Sequence, residues 1–70
     1  MNKINNPQTL TPLLKAAEIA EICNVSKAYV YKLMKQGVLP SVQIGYAKRV
    51  RQEDLHRFIR DNRTGYQIDV

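Results

Sequence analysis

The chain has 70 residues, 44% of them hydrophobic and 24% charged, with a net charge of +5 and an isoelectric point near 9.7. A single domain of this length hides only about 60% of the surface its unfolded chain exposes, so there is little volume for a deep substrate pocket. Size alone disfavours catalysis, whereas the positive balance suits nucleic acid, an anionic membrane surface or simple solubility.

Residues 1–11 (MNKINNPQTLT) are rich in Asn, Gln and Thr and read as a loose leader. Pro12, Leu13 and Leu14 open the ordered part as a short extended segment packing on the core. Residues 15–23 (KAAEIAEIC) are dominated by Ala and Glu, with Ile19, Ile22 and Cys23 at the i, i+3, i+4 spacing of one apolar helical stripe. Asn24 follows directly and suits the left-handed backbone that closes a helix. Ser26 is a good N-cap for a second helix over 27–36, whose apolar face is Val30, Leu33 and Met34 and whose stop is Gly37. Only Asn24, Val25 and Ser26 join the two helices, which forces a sharp turn with Val25 as its expected apolar plug.

After Pro40 the period changes to two: Val42 and Ile44 alternate with Ser41 and Gln43. Gly45 opens a turn through Tyr46 and Ala47, and a second strand follows over 48–51, with Val50 inward and Arg49 and Arg51 outward. A third helix over 52–61 carries Glu53 and Asp54 in its first turn, Arg57 and Arg60 toward its end, and Leu55, Phe58 and Ile59 as its buried stripe. The pattern predicts a mainly α fold with a small β-hairpin: a winged helix-turn-helix of three helices plus a two-stranded wing. It forms one domain over 12–61, with a loose tail over 62–70.

The basicity is local. Residues 1–25 sum to zero and residues 61–70 to −1, whereas residues 26–60 hold eight basic against two acidic side chains. On the second helix Lys27, Tyr31 and Lys35 line the outer face, Lys32 lies beside them, and Ala28 and Tyr29 sit near the N-terminal end behind Ser26. In helix-turn-helix proteins that end of the second helix meets base edges in the major groove, while flanking lysines suit phosphates. A plain solvated lysine face is the competing reading. On the wing, Tyr46, Lys48, Arg49 and Arg51 suit the minor groove or nearby phosphates, against protection of an edge strand from pairing. Of Tyr29 and Tyr31, one is read first as packing over the core edge with its hydroxyl on a phosphate, and stacking on single-stranded bases is the second reading.

Cys23 is the only cysteine, which precludes an intrachain disulfide and suits a reducing cytoplasm. It reads as a small core residue, and His56 as a surface residue. A zinc site needs about four ligands and none can be assembled, so neither metal nor cofactor is expected. No apolar run approaches the ~20 residues of a membrane span, and the first residues are polar rather than signal-like.

Leu13 to about Ile59 resembles the excisionase-type winged-helix family, related to the MerR-like regulators. The resemblance rests on the Val25-Ser26 turn, Val30-Tyr31-Lys32-Leu33, Gly37-Val38-Leu39-Pro40, Val42-Gln43-Ile44-Gly45, and Glu53-Asp54-Leu55 ahead of Phe58-Ile59. It implies a protein of a phage or mobile element that binds specific duplex sites, often several side by side, and bends them. Such proteins favour excision by an integrase of the tyrosine or serine type, or act as small transcriptional regulators. The same resemblance puts Lys27, Tyr29, Tyr31 and Lys32 at recognition-helix contact positions and Arg49 at the basic wing position. This chain departs from the family at Tyr46 and Ala47, where arginines are common after the wing glycine, and at Lys15 and Asn24, where Thr or Ser and Gly are usual. The competing class is a protein-interaction module whose basic face meets an acidic partner.

Overall fold

The computed structural model describes residues 10–63, so most of the expected leader (1–9) and tail (64–70) lie outside the described residues. Its elements run α1 (Ala16–Cys23), α2 (Lys27–Lys35), β1 (Val42–Ile44), β2 (Ala47–Arg49) and α3 (Gln52–Asp61). This is the expected winged helix-turn-helix: mainly helical, with an antiparallel hairpin paired Val42 with Arg49, Gln43 with Lys48 and Ile44 with Ala47.

Two helix ends of the same chemistry set the turn and its exit. Asn24 takes the left-handed conformation at φ 59°. Its N–H reaches Glu21 O at 3.3 Å, while the Val25 N–H reaches Ala20 O at 3.0 Å. At the end of α2, Gly37 has φ +77°. Its N–H reaches Met34 O at 3.1 Å, and Val38 N–H reaches Leu33 O at 3.1 Å. Both pairs follow the Schellman pattern, which satisfies carbonyls that a helix end would otherwise orphan. At the start of α1, Lys15 has no acceptor to offer. Instead its own backbone N–H donates to Glu18 Oε1 at 2.7 Å, one half of a capping box, so α1 begins one residue later than expected. Gln36 likewise caps α2 rather than extending it.

The core consists of Ala16, Ile19, Val30, Leu33, Met34, Leu39, Val50 and Leu55, flanked by Leu14, Ala20, Cys23 and Phe58. Several expectations need correction. The inward face of α1 is Ala16, Ile19, Ala20 and Cys23, so Ile22 lies roughly 110° around the helix from its middle. Ile22 is 57% exposed. Val25 is exposed too, because its backbone is committed to closing α1 and its side chain is left at the surface rather than beneath the turn. On α3 the inward positions are Asp54, Leu55 and Phe58, which turns Ile59 outward. Ile44 is exposed because the end of the hairpin reaches beyond the core.

The wing is also shifted. Its turn is the two residues Gly45 and Tyr46, and β2 ends at Arg49 rather than continuing to Arg51. Val50 leaves the hairpin to pair with Leu14: Leu14 N–H donates to Val50 O at 2.8 Å and Val50 N–H to Leu14 O at 2.9 Å. This two-way bridge pins the extended segment ahead of α1, as expected for Leu14, and sinks Val50 completely.

Arg51 then becomes the N-cap of α3. Its Nε and Nη2 donate to Asp54 at 2.8 and 3.2 Å, and Arg57 Nη1 adds a third bond at 3.0 Å. Asp54 is only 4% exposed. The Arg51 guanidinium holds its carboxyl below the ordinary value despite the opposing push of burial, with Arg57 assisting. A folded value below the unfolded one stabilises fully at neutral pH, and that contribution fades as pH falls from about 4 through the folded value. Asp54→Asn is therefore expected to cost about 1–2 kcal/mol at pH 7. Thermal melts should show the gap from wild type narrowing below about pH 4; a gap unchanged down to about pH 2 would contradict the ion cluster.

Candidate nucleic-acid interface

The surface of α2 follows from what its other side buries. Val30, Leu33 and Met34 face the core, so Lys27, Ala28, Tyr29, Tyr31, Lys32 and Lys35 are left exposed. Ser26 fixes where the helix begins: its Oγ accepts the Tyr29 backbone N–H at 3.1 Å. That hydroxyl is engaged in capping, so the contribution of Ser26 to the surface is to orient Lys27, Ala28 and Tyr29 at the first turn.

The wing folds back toward this helix. Tyr31 and Lys35 of α2 face Tyr46, Ala47, Lys48 and Arg49 of the hairpin across an open groove of about 600 Å³. Five of the residues singled out from the sequence, Tyr31, Lys35, Tyr46, Lys48 and Arg49, thus converge on one concavity. Lys48 and Arg49 are partly buried rather than freely projecting. Arg49 Nη1 donates to the Lys48 carbonyl at 2.9 Å, which restrains the guanidinium along the strand. Ser26, Lys27, Ala28, Tyr29 and Lys32 lie outside the groove lining, on the N-terminal part and outer side of α2.

Arg51 is the correction among these residues. It was expected on the wing strand facing outward. It stands instead at the start of α3, in salt bridges to Asp54 and to Glu53 Oε2 at 3.2 Å. The cause is the inward swing of Val50 to meet Leu14, which ends the strand two residues earlier.

Charge is sorted by element. No acidic residue occurs between Glu21 and Glu53, so α2, the wing and their groove are free of carboxylates. Ion pairs form elsewhere: Arg51 with Glu53 and Asp54, Arg57 with Asp54, and Arg60 with Asp61 at 3.8 Å, all on or beside α3. Lys27, Lys32, Lys35 and Lys48 take part in none of these salt bridges. Lysines outside any such pair are available to a polyanion. Among the described residues no group of three or more His, Cys, Asp or Glu could hold a metal ion, and no helix is long and apolar enough to cross a membrane. Cys23 is half-buried against the core, and His56 is exposed on α3.

A family described as a helix-turn-helix domain matches residues 13–63. Proteins of two Mycobacterium tuberculosis strains, provisionally named as DNA-binding, are 40% identical over 53 residues, covering 76% of this chain and 68% of theirs. The uncharacterized protein YvgK of Bacillus subtilis is 46% identical over 41 residues, which make up 59% of this chain but only 13% of that protein. No solved structure matches the chain.

Proposed function

This chain belongs to the helix-turn-helix domain family, and from that premise we propose that it binds double-stranded DNA at specific sites without catalysing a reaction. The observation that carries the reading is the acid-free groove in which Lys35 of α2 meets Lys48 and Arg49 of the wing. A helix flanked by a basic hairpin fits a duplex as one continuous footprint: the helix in the major groove, the wing on the neighbouring backbone or minor groove. Lys27, Lys32 and Lys35 neutralise phosphates, which gives affinity and register. Ala28 and Tyr29, on the exposed first turn, meet base edges, with Tyr31 next to them. The names of the mycobacterial relatives agree with this assignment.

Within this function we place the chain as an excisionase-like recombination directionality factor of a phage or mobile element. It bends DNA so that an integrase of the tyrosine or serine type is steered to excision. Because one small module covers little DNA, copies bind side by side. The resemblance carried by Val30-Tyr31-Lys32-Leu33 and Gly37-Val38-Leu39-Pro40 supports this role. A small transcriptional regulator on the same fold is the second reading, supported by the same residues.

The test adds the protein to an integrase reaction on its own element and measures excision beside output from the adjoining promoter. Raised excision is the expected result. Unchanged excision with altered promoter output favours the regulator. Failure to retard duplex DNA over random competitor, at low as well as high salt, would remove the DNA reading and favour an acidic protein partner.

A further inference from the structure

The tip of the wing is built from groups that phosphate pairing does not use. Beyond Lys48 and Arg49 the hairpin ends in Ile44, Gly45, Tyr46 and Ala47, none of them charged. Ile44 is exposed and Tyr46 is fully exposed, so neither ring nor branched chain at the tip serves the core. The tip is nonetheless held firmly. Gly45 has φ +62° at the first turn position, as a two-residue turn of type II′ requires. Gln43 Nε2 donates to the Gly45 carbonyl at 3.0 Å, bracing the turn from within its own strand. A stiff mount carrying an unpacked aromatic ring beside a cationic groove is a poor arrangement for solubility and a good one for contact.

We propose that the wing tip is a non-ionic contact element, in which the Tyr46 ring enters the minor groove and rests on sugar and base edges. Lys35 and Lys48 meanwhile hold the flanking phosphates. The inference deepens the duplex-binding reading above and rests on it. Minor-groove proteins commonly use apolar side chains of this kind, and packing of a ring on sugars and groove edges tolerates many sequences because the minor groove offers a nearly degenerate pattern. Ring contact differs from phosphate contact in one measurable respect: it releases no counterions, so it leaves the salt dependence of binding untouched.

The experiment titrates one duplex with wild type, Tyr46→Ala, Tyr46→Phe and Lys48→Ala over a series of salt concentrations. Tyr46→Ala is expected to weaken binding about tenfold at every salt concentration, with the wild-type log–log slope. Tyr46→Phe should restore affinity to within about twofold, because the ring rather than the hydroxyl makes the contact. Lys48→Ala should flatten the slope by about 0.9. Because Tyr46 packs on nothing, all three Tyr46 forms should melt alike, which separates lost contact from lost fold. The proposal is overturned if Tyr46→Ala binds as wild type, if its loss comes with a flatter slope, or if Tyr46→Phe is as weak as Tyr46→Ala. No binding by wild type at any salt concentration removes the duplex reading itself, and this proposal with it.

Discussion

Leu39→Ala is expected to destabilise the domain by about 3 kcal/mol, within the range found for emptying a buried leucine site. Leu39 is 0% exposed and sits in the short link between α2 and β1. Its N–H donates to Leu33 O at 3.2 Å, so the backbone cannot readily follow a shrinking side chain into the space left behind. A domain of this size has only about 4–10 kcal/mol of stability in total. The substitution therefore removes a large share, equivalent to a fall in melting temperature of about 12–24 °C. Thermal melts followed by circular dichroism measure this directly. A fall of less than about 5 °C would mean that Leu39 is not the keystone its burial indicates. Duplex binding should persist at low temperature, where the variant still folds, because Leu39 is not among the residues that line the groove.

The second large effect is on binding. Wild type contacting about five phosphates should show a log–log salt slope near −4 to −5. Reversing Lys35 and Lys48 together, as the Lys35→Glu and Lys48→Glu double variant, replaces two attractive groups on opposite walls of one groove by repulsive ones. Affinity for duplex DNA should fall by about 100-fold or more at low salt, and the slope should flatten by about 2. Arg60→Glu controls for total charge. Arg60 lies on α3 beside Asp61 and outside the groove, so its reversal should cost less than about a tenth of that loss once salt screens distant charges. Equal losses from the two variants would show that overall charge, not the groove, holds the nucleic acid.

What could be read from sequence followed from how local its cause is. Ser26, Asn24 and Gly37 were legible because a cap is decided within one turn of chain: a hydroxyl that accepts an amide, or a residue that tolerates positive φ. The basic face of α2 was legible once Val30, Leu33 and Met34 identified its other side. Ile22 and Ile59 were misplaced because helices of eight and ten residues have too few apolar positions to distinguish neighbouring stripes. Leu39 was missed because it sits in a link with no period at all. Arg51 was misread, and the burial of Asp54 missed, for a different reason. Whether Arg51 ends a strand or caps a helix depends on Val50 finding Leu14, a partner far away in sequence. Once Arg51 is the cap, Asp54, in the first turn of α3 as expected, is also a buried acceptor for two guanidinium groups. The groove itself belongs to the same class, because its two walls are set by tertiary packing.

The Leu14–Val50 bridge also ties the hairpin that forms one wall of that groove to the segment ahead of α1. Besides its packing in the core, the root of the hairpin is moored by backbone hydrogen bonds to chain upstream of both helices of the reading unit. Lengthening or trimming residues just ahead of α1 would therefore act as a remote adjuster, swinging the hairpin toward or away from α2 without altering any side chain that meets DNA. In a fusion protein, tension on the upstream linker would be transmitted straight to the DNA grip.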